Sequence, residues 1–133
     1  MKKGKILVVD DNKGIRDALK ILLGSCFAQV QTIPSPTTLM TTTEEMMPDV
    51  ILLDMNFKTD INSGNEGLYW LSEIKKRWPE MPVVLFTAYA DIALAVEGMK
   101  RGASDFIVKP WDNAKLIETL TSIRDRKKEK KKG

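Results

Sequence analysis

The stretch Asp49-Val50-Ile51-Leu52-Leu53-Asp54-Met55-Asn56 decides the fold. Four consecutive aliphatic residues run straight into a carboxylate. A short continuous apolar run closed by a polar break is the pattern of a strand buried on both faces, as in the middle of a parallel sheet. A lone carboxylate at the end of such a strand has no surface to solvate. It stands where the sheet stops and a pocket can begin, so Asp54 is the candidate working group of the chain.

Upstream, Lys5-Ile6-Leu7-Val8-Val9-Asp10 repeats the pattern: an aliphatic strand ending in acid. Asp11-Asn12 can cap a helix, and Ile15, Ala18, Leu19, Leu22 and Leu23 recur at the three-and-four spacing of an amphipathic helix. Gly24 and Ser25 end it. Residues 27–33 predict a shorter second strand. Ser35-Pro36 reads as a helix cap followed by proline at the first helical position, opening a Thr-rich helix to about Met46.

Downstream of Asp54, residues 55–65 form a polar loop with Asp60, Asn62, Ser63, Gly64 and Asn65. It is long for a strand-to-helix connection, which takes roughly 2–6 residues. A third helix carries Leu68, Leu71 and Ile74 on one side, with Glu73, Lys75, Lys76 and Arg77 largely on the other, and Trp78-Pro79 ends it. Residues 82–87 predict a fourth strand ending in the hydroxyl of Thr87. Residues 91–101 predict a fourth helix, in which Gly98 costs about 1 kcal/mol relative to Ala. Residues 104–109 predict a fifth strand, broken at Lys109-Pro110. Asp112 or Asn113 caps a last helix through Leu116, Ile117, Leu120 and Ile123.

Five strands alternating with five helices imply an α/β fold: a parallel sheet with right-handed crossovers and helices on both faces. The 133 residues suit one domain. We assign residues 1–123 to it and 124–133 to a basic tail or the start of a linker. Arg124 to Lys132 holds seven basic and two acidic residues, which leaves 14 basic and 16 acidic residues, a net −2, in the rest. The overall +3 is therefore a property of the tail. Lys/Glu mixtures of this kind read as a solvated extension, so nucleic acid is a partner only through an output domain in the native chain. The single cysteine, Cys26, forbids an internal disulfide and reads as buried filler. No apolar run nears the length of a membrane span, and Met1-Lys2-Lys3 leads into a strand rather than a signal-peptide core. A cytoplasmic protein with no membrane partner is the expectation.

In sheets of this type ligands bind beyond the carboxyl ends of the strands. Asp10 and Asp11, Asp54, Thr87 and Lys109 stand there. Singly, each has a plainer role: a helix cap, a strand end, a surface lysine. Together they complement one another. Crowded carboxylates repel unless something positive joins them, and a chain without histidine offers a set suited to a hard, oxygen-loving ion, Mg²⁺ or Mn²⁺ in its place. Lys109 adds a compact positive charge and Thr87 a hydrogen-bond donor. Such a set cradles a phosphoryl group on Asp54, because carboxylates form aspartyl phosphates and phosphoryl transfer needs little beyond positioning and charge stabilisation. No side chain is an obvious base to activate water, which suits a phosphorylated state that persists.

The acid pair after Ile6-Leu7-Val8-Val9, the Asp54 strand, Thr87-Ala88 and Lys109-Pro110 resemble the receiver domain of bacterial two-component response regulators, over about residues 4–123. The resemblance implies a flavodoxin-like doubly wound sheet with strand order 2-1-3-4-5. It implies a phosphorylation-dependent signalling switch, not an enzyme in its own right. Asp54 accepts a phosphoryl group from a histidine kinase or phosphotransfer protein. Asp10, Asp11 and Asp54 hold Mg²⁺, with the backbone carbonyl of Asn56. Thr87 and Lys109 contact phosphoryl oxygens, Ala88 keeps the site open, and Tyr89 shields it from water. Phe106 swings inward with Thr87, and the face of the fourth helix, fifth strand and fifth helix changes its partners, a homodimer among them. The Lys109-Pro110 peptide is typically cis in this family.

One departure concerns the loop. Where the family has Met-Pro and a short turn, this chain has Met55-Asn56-Phe57 and reaches Gly67-Leu68 about five residues late, so residues 58–65 are an insertion. A similar loop, with Asn-Glu-Gly leading into the third helix, resembles regulators of the sigma-54 activator class, which implies transcription regulation. Two alternatives carry less support. A Mg²⁺-dependent phosphohydrolase resembling the haloacid dehalogenase group would place an Asp at position 56, where this chain has Asn. A phosphorylation-independent interaction module would show a degraded acidic site, and the site here is complete.

Overall fold

The computed structural model describes residues 2–55 and 66–132, without the side chains of residue 66 and of 127–132. Among the described residues, five strands alternate with five α-helices: β1 Lys5–Val9, α1 Lys13–Leu23, β2 Gln29–Ile33, α2 Leu39–Met46, β3 Val50–Asp54, α3 Glu66–Arg77, β4 Val83–Ala88, α4 Ile92–Lys100, β5 Asp105–Lys109 and α5 Asn113–Lys132. The strands form one parallel sheet in the order β2-β1-β3-β4-β5. This is the doubly wound topology expected from the sequence. β3 lies in the centre, and all five of its residues are buried.

The period of two in each strand divides the core into two layers. Leu7, Val9, Leu53 and Leu85 meet Leu39 of α2 and Leu71 and Ile74 of α3. Ile6, Val8, Leu52 and Phe86 meet Leu19 and Leu23 of α1 and Leu116 and Leu120 of α5. Removing one such aliphatic side chain from water contributes about 1.5–3 kcal/mol. Both faces of β3 therefore anchor Asp54 at its end.

Asn12 caps α1, its side-chain oxygen accepting the Ile15 N–H at 3.0 Å, while the neighbouring acids are kept for another use. The Thr-rich helix begins differently from the sequence reading. Ser35 caps a 3-10 turn at Pro36–Thr38, and α2 follows. A second 3-10 turn, Tyr89–Asp91, precedes α4. Gly98 is the larger correction. It is not a weakness but a point of close approach, because a Cβ there would drive into the Leu85 side chain and touch Leu71. The missing side chain lets α4 lie down on the sheet.

The basic stretch begins inside the last helix. α5 continues to Lys132, and Arg124 is buried, 7% exposed. Its guanidinium donates to the carbonyls of Lys3 (3.1 Å) and Cys26 (2.7 Å), pairs with Asp125 (3.0 Å) and stacks 4.9 Å from the Phe27 ring centroid. That bond holds the Asp125 carboxyl below its usual range. Cys26 is half-buried rather than fully enclosed. Burial raises its thiol pKa against the pull of Arg124.

Candidate functional site

Strand order positions the site. β1 and β4 flank β3, so the residues after β1 and at the end of β4 stand on either side of Asp54. In register, Asp54 lies opposite Phe86, Thr87 opposite Val108, and Ala88 opposite Lys109. Lys109 thus starts two strands away and reaches back across β4. The Lys109–Pro110 peptide is cis, as the resemblance implied.

Asp10 and Asp54 are 0% and 1% exposed, and Asp11 is exposed. One carboxylate oxygen from each of the three lies within 4.8 Å of the others. The Lys109 ammonium bridges the buried pair, 3.1 Å from Asp10 Oδ2 and 3.1 Å from Asp54 Oδ1. The second oxygen of Asp10 accepts the Asn12 N–H at 2.9 Å, and Arg16 donates to the Asp10 backbone carbonyl at 2.9 Å. Buried carboxylates are tolerable only with such partners. Three carboxylate oxygens converge, two of them buried, in a chain without histidine. This donor set fits a hard divalent cation with oxygen ligands. Asp11 leaves one side of the cluster open to solvent.

The remaining expected residues fall into three groups. Thr87 is fully buried beside Asp54 in the sheet, but its hydroxyl donates to the carbonyls of Ala88 and Asp91, both at 3.3 Å, and so is engaged with the turn before α4. Ala88 is half-buried, and Tyr89 projects to solvent, 77% exposed. Phe106 is half-buried at the start of β5, packed against the layer that holds Leu85. Asn56 and the 58–65 insertion lie outside the described residues.

Sequence reasoning missed Arg16, Phe86 and Trp111. The Lys109 ammonium lies 4.6 Å from the centroid of the fully buried Phe86 ring, which packs against Trp111 with centroids 5.4 Å apart. Phe86 reads in the sequence as one more buried apolar residue of the fourth strand, because its contact with Lys109 is made by a neighbouring strand. An aromatic residue directly after Lys109-Pro110 was the available signal for Trp111.

The family model described as the response regulator receiver domain matches residues 6–121. The crystal structure of the N-terminal signal receiver domain of a two-component system response regulator from Bacteroides fragilis is 54% identical, with TM-score 0.84 over 92% of this chain and 98% of that one. NtrX from Brucella abortus is 32% identical, with TM-score 0.86 over 98% of this chain and 28% of its own. The DNA-binding transcriptional regulator NtrC of Klebsiella pneumoniae is 33% identical over 126 residues, 95% of this chain and 25% of that relative. The chain thus spans about a quarter of the length of NtrC. Fold, strand order and a match across nearly the whole sequence agree, and the chain belongs to the response regulator receiver domain family.

Proposed function

We propose that this protein is a phosphorylation switch that takes a phosphoryl group from a histidine kinase, or a phosphotransfer protein, onto Asp54. The observation that carries the reading is the Lys109 ammonium bridging Asp54 and Asp10 at 3.1 Å each, deep at the carboxyl end of the central strand. A carboxylate oxygen of Asp54 attacks phosphorus. The bond from phosphorus to the donor imidazole nitrogen breaks, its electron pair stays with the ring, and an acyl phosphate forms. Asp10, Asp11 and Asp54, with the Asn56 carbonyl, are the residues to hold Mg²⁺, or Mn²⁺. When bound, that ion supplies positive charge against the phosphoryl oxygens.

Lys109 turns from neutralising two carboxylates to contacting the new phosphoryl oxygens. Thr87 exchanges its weak 3.3 Å bond to Asp91 for a phosphoryl oxygen. This withdraws a constraint on the turn before α4, and Phe106 follows inward beside it. The face of α4, β5 and α5 then changes partners, a second copy of this chain among them. A local charge event biasing a two-state element is the physics of such switches. The chain has no imidazole to activate water, so we read it as an acceptor with slow self-transfer rather than a turnover enzyme. The relatives named as transcriptional regulators support an output in transcription, in a regulator of the sigma-54 activator class acting in the cytoplasm.

Acetyl phosphate with Mg²⁺ tests the acceptor. Intact-mass measurement should show one added, acid-labile phosphoryl group on the parent protein and none on Asp54→Asn. Stoichiometric modification of Asp54→Asn would sink the assignment.

A further inference from the structure

The contacts of Lys109 do not stop at the carboxylates. Its ammonium lies over the Phe86 ring at 4.6 Å, and Phe86 packs against Trp111 at 5.4 Å between centroids, tilted by 56°. The Trp111 indole N–H donates to Asn113 Oδ1 at 2.8 Å. Asn113 is the first residue of α5, whose first turn is also capped by Asp112 accepting the Ala114 N–H at 2.9 Å. A continuous line of direct contacts therefore runs from Asp54 to the start of α5. It uses neither Thr87 nor Phe106.

We propose that Trp111 is a positioning residue that couples the charge carried by Asp54 to the first turn of α5. The coupling rests on Asp54 being the phosphoryl acceptor. A phosphoryl group redistributes the anionic oxygens around the Lys109 ammonium and draws it relative to the ring beneath it. The attraction between cation and ring falls as that geometry changes. Phe86 is fully enclosed, and close-packed interiors pass displacement on rather than absorb it. Trp111 is the neighbour with room to respond. It is half-buried and lines a surface groove with Phe106, Val108, Lys115 and Thr119. Its indole N–H then carries the shift to Asn113.

The test compares amide and indole N–H spectra of the full chain, with and without beryllofluoride and Mg²⁺, in the parent, Trp111→Phe and Asn113→Ala. In the parent, the Trp111 indole N–H and the amides of Ala114 and Lys115 should shift on beryllofluoride binding. In both variants, acetyl phosphate should still add one phosphoryl group at Asp54, and the α4 amides should shift as in the parent. The beryllofluoride-induced shifts at Ala114 and Lys115 should drop at least twofold. A purely structural role would alter the free and bound spectra alike and leave their difference intact. Equal differences in parent and variants would overturn the coupling, as would an unmoved Trp111 indole in a parent that does take up phosphoryl. Asn113 is exposed, so its variant removes the acceptor without disturbing the core. A parent that neither binds beryllofluoride nor gains mass would overturn the acceptor reading itself, and the coupling with it.

Discussion

Gly98 sits inside α4, where a glycine in an isolated helix is a defect that alanine repairs by about 1 kcal/mol. Here the sign reverses. The new methyl would enter the space of the Leu85 side chain, and overpacking a close-fitted core costs about 1–3 kcal/mol. We expect Gly98→Ala to lower the midpoint of urea unfolding; a raised midpoint would mean that α4 lifts off the sheet at no cost. The same residue shows what a one-dimensional reading can hold. The meeting of Asp10, Asp11, Asp54 and Lys109 was legible because strand ends follow from hydrophobic runs. The demand for no side chain at Gly98 was not, since it depends on how closely a helix lies on another strand. The direction of the Thr87 hydroxyl, toward the carbonyls of Ala88 and Asp91, was equally hidden, because it is set by a turn four residues on.

Boundaries set by local chemistry were readable at the level of elements. Proline at position 36 opens a 3-10 turn, and glycine at 24 and 102 and the break at Lys109-Pro110 follow the ends of helices and a strand. The C-terminal helix runs past Ile123 to Lys132, through a composition that reads as a solvated extension. Arg124 belongs to the body through its guanidinium, which satisfies two backbone carbonyls far apart in sequence. No periodicity signals such a pairing. Arg124→Met keeps the stem and removes the donors. It leaves two acceptors short of partners and ends the contact with Phe27, for an expected loss of about 1–3 kcal/mol. Arg126→Met, at an exposed neighbouring position, should stay within about 0.5 kcal/mol. Thermal unfolding of the two variants side by side checks this, and equal stabilities would remove Arg124 from its role as a fastener.

For the molecule as a whole, a divalent cation held by the acid cluster would tie folding to that ion. A ligand that binds only the folded state stabilises it by about 2.7 kcal/mol at a hundred times its dissociation constant. We expect Mg²⁺ to raise the unfolding temperature of the parent, and Asp11→Asn to blunt that rise while leaving the metal-free stability nearly unchanged, since Asp11 is exposed. Calorimetry with and without Mg²⁺ measures both; a rise of the same size in the variant would detach the ion from this cluster. The path of α5 has a different consequence. From Asn113 to Arg124 it rises about 17 Å, roughly the length of a five-residue strand. It begins beside the Lys109 end of the sheet and is fastened by Arg124 to Lys3, at the opposite pole. Polypeptide grafted after this helix would depart from the far side of the molecule. A reporter could be exchanged there, like a tool on a shaft, while the acidic end of the sheet stays uncovered.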